Sequence, residues 1–169
     1  MQLPIRKHPR LKDYDYSQNG AYFVTVCTKN RAQILSSIVG RGAHTPPLVE
    51  LSDIGKSLDG YISSIENAYN NIFVDAHVIM PNHFHILLRI ENDSANNGGV
   101  WAPRPTGKRT EVQTVMRSLK TMVTKETGIK NLWQTSFYDH IIRNEQDYLA
   151  CWQYIDDNPA KWTEDKYFV

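Results

Sequence analysis

The stretch Ile72–Ile90, IFVDAHVIMPNHFHILLRI, decides how this chain is read. Two apolar, β-branched and aromatic runs flank Pro81-Asn82, a pair that interrupts a strand and favours a turn. The pattern predicts strands over Ile72–Met80 and His83–Ile90, paired antiparallel across a tight connection. Side chains alternate along a strand, so His83 and His85 share one face and Phe84 takes the other.

Working outward, Gly20–Asn30 (GAYFVTVCTKN) reads as a preceding strand and Ser136–Arg143 (SFYDHIIR) as a following one. Val39–Pro47, with Gly40, Gly42, Pro46 and Pro47, reads as a loop. Ser52 or Asp53 can cap a helix running to about Tyr69, with Ile54, Leu58, Tyr61, Ile62 and Ile65 on its core face. Thr110 can cap a basic helix to about Thr127, closed by Gly128, with Val112, Val115, Met116, Leu119, Met122 and Val123 buried. Asn144 can cap a last helix from Glu145 to about Asn158, ended by Pro159. Between them, residues 91–109 are irregular and read as a mobile loop. The order predicts one α+β domain over residues 1–169. Its expected core is a ferredoxin-like (RRM-like) antiparallel sheet with helices mainly on one face, plus a C-terminal helix carrying Tyr154.

The 169 residues carry 19 Lys and Arg against 18 Asp and Glu, a formal charge of +1. That total argues against a nucleic-acid partner, but its distribution does not. Residues 1–12 hold four basic groups and no acid, and residues 104–130 hold seven basic groups and two acids, inside an otherwise acidic frame. A solvated helix face with a basic tail and a phosphate-binding footprint both fit this pattern. No apolar run is long enough to span a membrane, and the N-terminus lacks the apolar core of a signal peptide. Cys27 and Cys151 form no CxxC, which argues against a disulfide framework and a cysteine zinc site and for a reducing compartment.

Two neutral imidazoles on one strand face, His83 and His85, make a half-site for a divalent metal, or simply two hydrogen-bonded histidines. His77 reads as structural or as a support to that pair, and His8, His44 and His140 have no partner pattern. On the last helix Tyr148, Trp152 and Ile155 form the expected apolar stripe, with Cys151 beside them. Tyr154 and Asn158 fall one turn apart and off that stripe. They could offer a phenol and an oxygen ligand to one site, or be a partly buried tyrosine and a helix-ending Asn-Pro.

The blocks MPNHFHILL (Met80–Leu88), AYFVTVCTKNR (Ala21–Arg31) and FYDHIIRNEQDYLACWQYIDDNPAKW (Phe137–Trp162) together resemble the single-tyrosine HUH, insertion-sequence-type transposases. The YIDDNP segment is closest to their REP-associated tyrosine transposase branch. The resemblance implies that His83 and His85 bind Mg²⁺ or Mn²⁺ and that Tyr154 is the nucleophile. Asn158 stands where insertion-sequence relatives carry a metal-binding glutamine. It keeps the amide carbonyl and loses one methylene of reach. The implied reaction is cleavage and rejoining of single-stranded DNA through a 5′-phosphotyrosine intermediate beside a DNA hairpin, with no ATP. Such proteins act as monomers or homodimers, in a bacterial cytoplasm and on the nucleoid when DNA-bound.

Arg6, Lys7, Arg10, Lys12, Arg104, Lys108, Arg109, Arg117, Lys120 and Lys125 are the candidate DNA-binding residues. Trp101 could stack an unpaired base or anchor its own loop. A hairpin-binding protein without cleavage activity is the alternative. A plain metal phosphodiesterase using activated water is disfavoured, because no carboxylate cluster stands beside the histidine pair.

Overall fold

A computed structural model describes residues 19–40, 47–92 and 110–169. Four long strands are present: β1 (Gly20–Cys27), β4 (Ile72–Ile79), β5 (His83–Ile90) and β6 (Tyr138–Ile142). They form one antiparallel sheet in the order β4-β5-β1-β6, the order of the split βαβ arrangement. Two further strands, β2 (Ser36–Val39) and β3 (Leu48–Leu51), pair with each other as a separate ribbon. They frame the segment read from sequence as a loop. At four residues each, they are too short for an alternation to register. The ribbon is tied to the main sheet where Ser36 Oγ donates to Ile79 O at 2.8 Å and Leu35 N to Pro81 O at 3.0 Å.

The expected helix caps are all present. Ser52 Oγ accepts from Gly55 N at the start of α1 (Asp53–Ser63), and Thr110 Oγ1 accepts from Gln113 N at the start of α3 (Glu111–Thr127). Asn144 Oδ1 accepts from Asp147 N at the start of α4 (Glu145–Asp157). Gly128 closes α3 in the left-handed region (φ 69°), where a side chain would be strained. The helix expected to run to Tyr69 breaks at Ser64 and continues as the short α2 (Ile65–Ala68). Ser64 Oγ donates to Tyr61 O at 2.8 Å, a local bond that competes with helix continuation.

Each face of the sheet is covered. Tyr22, Val24, Val26, Phe84, Ile86 and Leu88 pack against Leu58 and Ile62 of α1 and Val115, Met116, Leu119 and Val123 of α3. Met122, expected in that stripe, is exposed. On the opposite face Phe23 and Leu87 pack against Cys151 and Ile155 of α4, with Tyr148 and Tyr154 partly buried beside them. Asp75 of β4 anchors that helix. Its carboxylate accepts from Tyr148 Oη at 2.9 Å and from the Arg89 guanidinium at 3.1 Å.

Gly55 sits where α1 passes the Leu35 backbone. A methyl group there would lie 2.1 Å from Leu35 O, an acceptor already held by Ser52 N. Gly60 has open space around its Cα. Gly55→Ala is expected to destabilise the fold by about 1–3 kcal/mol, and Gly60→Ala to stabilise it by roughly 0.4–1 kcal/mol. Denaturant unfolding of the two variants checks the pair.

Candidate active site

The two histidines of β5 are fully buried on the α4 face, opposite Cys27 and Thr25 of β1. His83 Nδ1 donates to Asn82 Oδ1 at 2.8 Å, which leaves Nε2 as the lone-pair nitrogen of a neutral ring. His85 Nε2 lies 3.0 Å from His83 Nε2, and His85 Nδ1 lies 2.7 Å from Thr25 Oγ1. The outer nitrogens are thus engaged by Asn82 and Thr25, and the inner pair converges on one point. Moving the His85 proton from Nε2 to Nδ1, with Thr25 accepting, frees both inner lone pairs for a cation.

Helix α4 brings Tyr154 and Asn158 to the same place. The Tyr154 ring stands edge-on to His85 (centroids 5.2 Å) and to Phe23 (5.8 Å). Tyr154 therefore faces the sheet, not away from it as the spacing suggested. The buried stripe of α4 runs through Tyr148, Cys151, Ile155 and Asn158, while Trp152, expected within it, is 39% exposed. Cys151 and Ile155 pack against Phe23 and Leu87, and the larger Trp152 is left at the rim.

Sequence reasoning missed the segment that closes the site. Asp165 Oδ2 accepts from Tyr154 Oη at 3.1 Å and from Asn158 Nδ2 at 3.0 Å. Ligand atoms of His83, His85 and Asp165 lie within 4.8 Å of one another. A carboxylate does stand beside the histidines, then, though it comes from far along the chain. Tyr167 packs on His83 (4.6 Å), and its carbonyl accepts from Asn82 Nδ2 at 2.8 Å, so one asparagine orients both the histidine and the segment. Asn82 was legible as the neighbour of His83. Asp165, in a polar TEDK run, carried no signal.

A divalent metal fits these residues. Asn158 is 2% exposed, and its Oδ1 is buried with no hydrogen-bond partner among the described residues. An unpaired buried carbonyl costs about 1–3 kcal/mol. The same amide bonds Asp165, whose carboxylate clusters with the two imidazoles, a mixed N and O donor set suited to Mn²⁺ or Mg²⁺.

Burial sets the electrostatics. Desolvation pulls His83 down to about 4 from its ordinary 6.5, and pulls His85 well below it, helped by His83 and Lys166. Burial, and then the Asp165 charge, hold the Tyr154 phenol above its ordinary 10. Two cations border the site: the Arg31 guanidinium lies 5.4 Å and the Lys166 ammonium 4.8 Å from the Tyr167 ring centre.

The remaining sequence candidates are scattered. His77 Nε2 bonds Asp59 of α1 at 2.8 Å and is structural, away from the site. Arg117 and Lys125 are exposed on α3 and, with Lys120, line a groove of about 600 Å³ floored by Trp133 and Phe137. Lys120 Nζ donates to Gln134 O (2.6 Å) and Thr135 O (3.2 Å), so it braces the chain beneath that groove. Arg6, Lys7, Arg10, Lys12, Trp101, Arg104, Lys108 and Arg109, with His8 and His44, lie outside the described residues.

The folded values of both histidines lie below the unfolded 6.5, so below about pH 6.5 the unfolded chain binds protons that the folded chain does not. With chelator present, the denaturation midpoint should fall as pH drops from about 7 to about 5. The double variant His83→Gln/His85→Gln should flatten that slope.

No protein-family model matches the chain. An uncharacterized protein of Haemophilus influenzae is 31% identical over 174 residues, covering 97% of this chain and 93% of its own length. The REP-associated tyrosine transposase of Escherichia coli is 30% identical over 88 residues, 52% of this chain and 44% of that protein. Among solved structures, a REP-associated tyrosine transposase bound to a REP hairpin superposes with a TM-score of 0.62. It shares 23% identity and is matched over 93% of this chain and 77% of its own, a likeness of fold. The chain is a homologue of the REP-associated tyrosine transposases and belongs, over nearly its whole length, to one family with the Haemophilus influenzae protein.

Proposed function

We propose that the protein is a metal-dependent transposase-type enzyme that cleaves and rejoins single-stranded DNA next to a hairpin, with Tyr154 as nucleophile. The observation that carries this reading is the convergence of Tyr154, Asn158 and the paired Nε2 atoms of His83 and His85 beneath one helix. The REP hairpin held by the structural relative supports the substrate class.

His83 Nε2, His85 Nε2 and Asn158 Oδ1 would hold Mg²⁺ or Mn²⁺, with Asp165 as a further oxygen donor. When bound, that ion supplies charge to offset the scissile phosphate. Asn82 and Thr25 hold the two rings in orientation from behind. The Tyr154 oxygen attacks phosphorus, and its proton passes to the Asp165 carboxylate that it already meets at 3.1 Å. The 3′-oxygen leaves, taking up a proton, and the 5′-phosphate remains on Tyr154. A second 3′-hydroxyl reverses the step and restores the phosphodiester. Arg31 and Lys166, beside the Tyr167 ring, would neutralise flanking phosphates.

Tyr154 lies beside the histidines of its own chain, which favours action within one subunit and a monomer competent for cleavage. The proposed setting is the bacterial cytoplasm, with the protein on the nucleoid when DNA-bound. Among the described residues no helix is long and apolar enough to cross a membrane.

A hairpin substrate with a single-stranded flank, incubated with Mn²⁺, should form a covalent protein–DNA adduct. Tyr154→Phe and chelator should each abolish it while hairpin binding persists. An adduct surviving Tyr154→Phe contradicts the nucleophile assignment. Hairpin binding with no adduct under any metal selects the binding-only alternative. Arg117→Ala and Lys125→Ala should each weaken hairpin binding and lower the slope of log K against log salt by about 1, measured by fluorescence anisotropy.

A further inference from the structure

A second donor cluster lies on the α4 face, at the junction of α4 with β6. One nitrogen of His140, one carboxylate oxygen of Asp147 and the Cys151 sulfur lie within 4.8 Å of one another. Asp147 and Cys151 are four residues apart on α4, hence one turn apart on one face. His140 projects from β6, where it pairs with Phe23 of β1. Its Nε2 bonds both Asp147 oxygens at 2.9 Å, and its Nδ1 is buried with no hydrogen-bond partner among the described residues. Asp147 is fixed in turn by the entry to the helix, where its carboxylate also accepts from Arg143 N, just ahead of the cap, at 3.3 Å. Cys151 is 1% exposed, while the His140 and Asp147 side chains keep 13% and 18% exposure, which leaves the cluster a path to solvent.

We propose that His140, Asp147 and Cys151 form a zinc site that clamps the tyrosine helix to the sheet. One nitrogen, one oxygen and one sulfur are three of the four donors a tetrahedral Zn²⁺ takes, and water supplies the fourth. Binding forms a metal–sulfur bond, and the thiol proton leaves to solvent. The thiolate donor favours Zn²⁺ or Co²⁺ over Mg²⁺ and Mn²⁺ at this site and gives it a spectroscopic signature that the His83/His85 site, with no sulfur, lacks. Neither cysteine belongs to a CxxC, which is why spacing alone argued against zinc. Cys151 precedes Tyr154 by three residues, so the clamp would fix the part of α4 that carries the tyrosine.

Chelator-stripped protein titrated with Co²⁺ should develop a saturable thiolate-to-cobalt charge-transfer band that Zn²⁺ displaces. Cys151→Ser and His140→Gln should lose the band, while Cys27→Ser and His83→Gln/His85→Gln should keep it. Zn²⁺ should raise the melting temperature of the His83→Gln/His85→Gln protein, and this rise should vanish when Cys151→Ser is added. The absence of a band in the wild type, its survival in Cys151→Ser, or its loss in Cys27→Ser would overturn the proposal. If either loss variant fails to fold, the wild-type band and its persistence in Cys27→Ser decide the matter.

Discussion

Two imidazoles meet nitrogen to nitrogen at 3.0 Å inside the protein, and the α4 side of the sheet is organised around that contact. Both rings are fully buried, so neither can carry a proton without losing hydration that the interior does not replace. They are held neutral, with one outer nitrogen of each occupied by Asn82 or Thr25 and the inner nitrogens turned toward each other. Such an arrangement is costly as a structural device, because two apolar side chains would pack there with no polar groups to satisfy. It becomes economical once a cation accepts both lone pairs. The bare carbonyl of Asn158 argues in the same direction.

The surrounding elements follow from the need to cover and orient those rings. Helix α4 crosses the same face, docked through Cys151 and Ile155 against Phe23 and Leu87 and pinned by Tyr148 to Asp75. That docking fixes the edge-on contact of Tyr154 with His85. The last segment then crosses beneath the helix, with Trp162 buried, Tyr167 on His83 and Asp165 bridging Tyr154 to Asn158. The opposite face is packed mainly with apolar residues and serves as the main core, with the buried Asp139 of β6 and the His77–Asp59 bond as its polar members. Scaffold and site therefore divide the two sides of one sheet, and alternation along β5 allots Phe84 to one and His83 and His85 to the other.

Much of this was legible in the sequence, because its signals are local. Strand alternation paired the histidines, three capping residues marked three helix starts, and a left-handed glycine marked the end of α3. What escaped has two physical causes. Short or broken elements, such as the β2–β3 ribbon and the Ser64 interruption, fall below the length at which periodicity registers. The choice of helix face was decided by tertiary fit: Trp152 is the more hydrophobic partner on paper, yet Cys151 and Asn158 are buried and Trp152 is left at the rim. Asp165 belongs to the same class, since nothing in TEDK announces that its aspartate is threaded back to a strand far earlier in the chain.

The central claim is that Tyr154, and no other hydroxyl near the paired histidines, takes up the phosphate. Tyr167 packs closer to His83 than Tyr154 does to His85, so proximity alone does not separate them. Peptide mass spectrometry of the protein trapped on hairpin DNA distinguishes the two directly. The account predicts a nucleotide 5′-phosphate linked to Tyr154 in the peptide that also contains Asn158. A nucleotide on Tyr167, or on any residue outside α4, would contradict it.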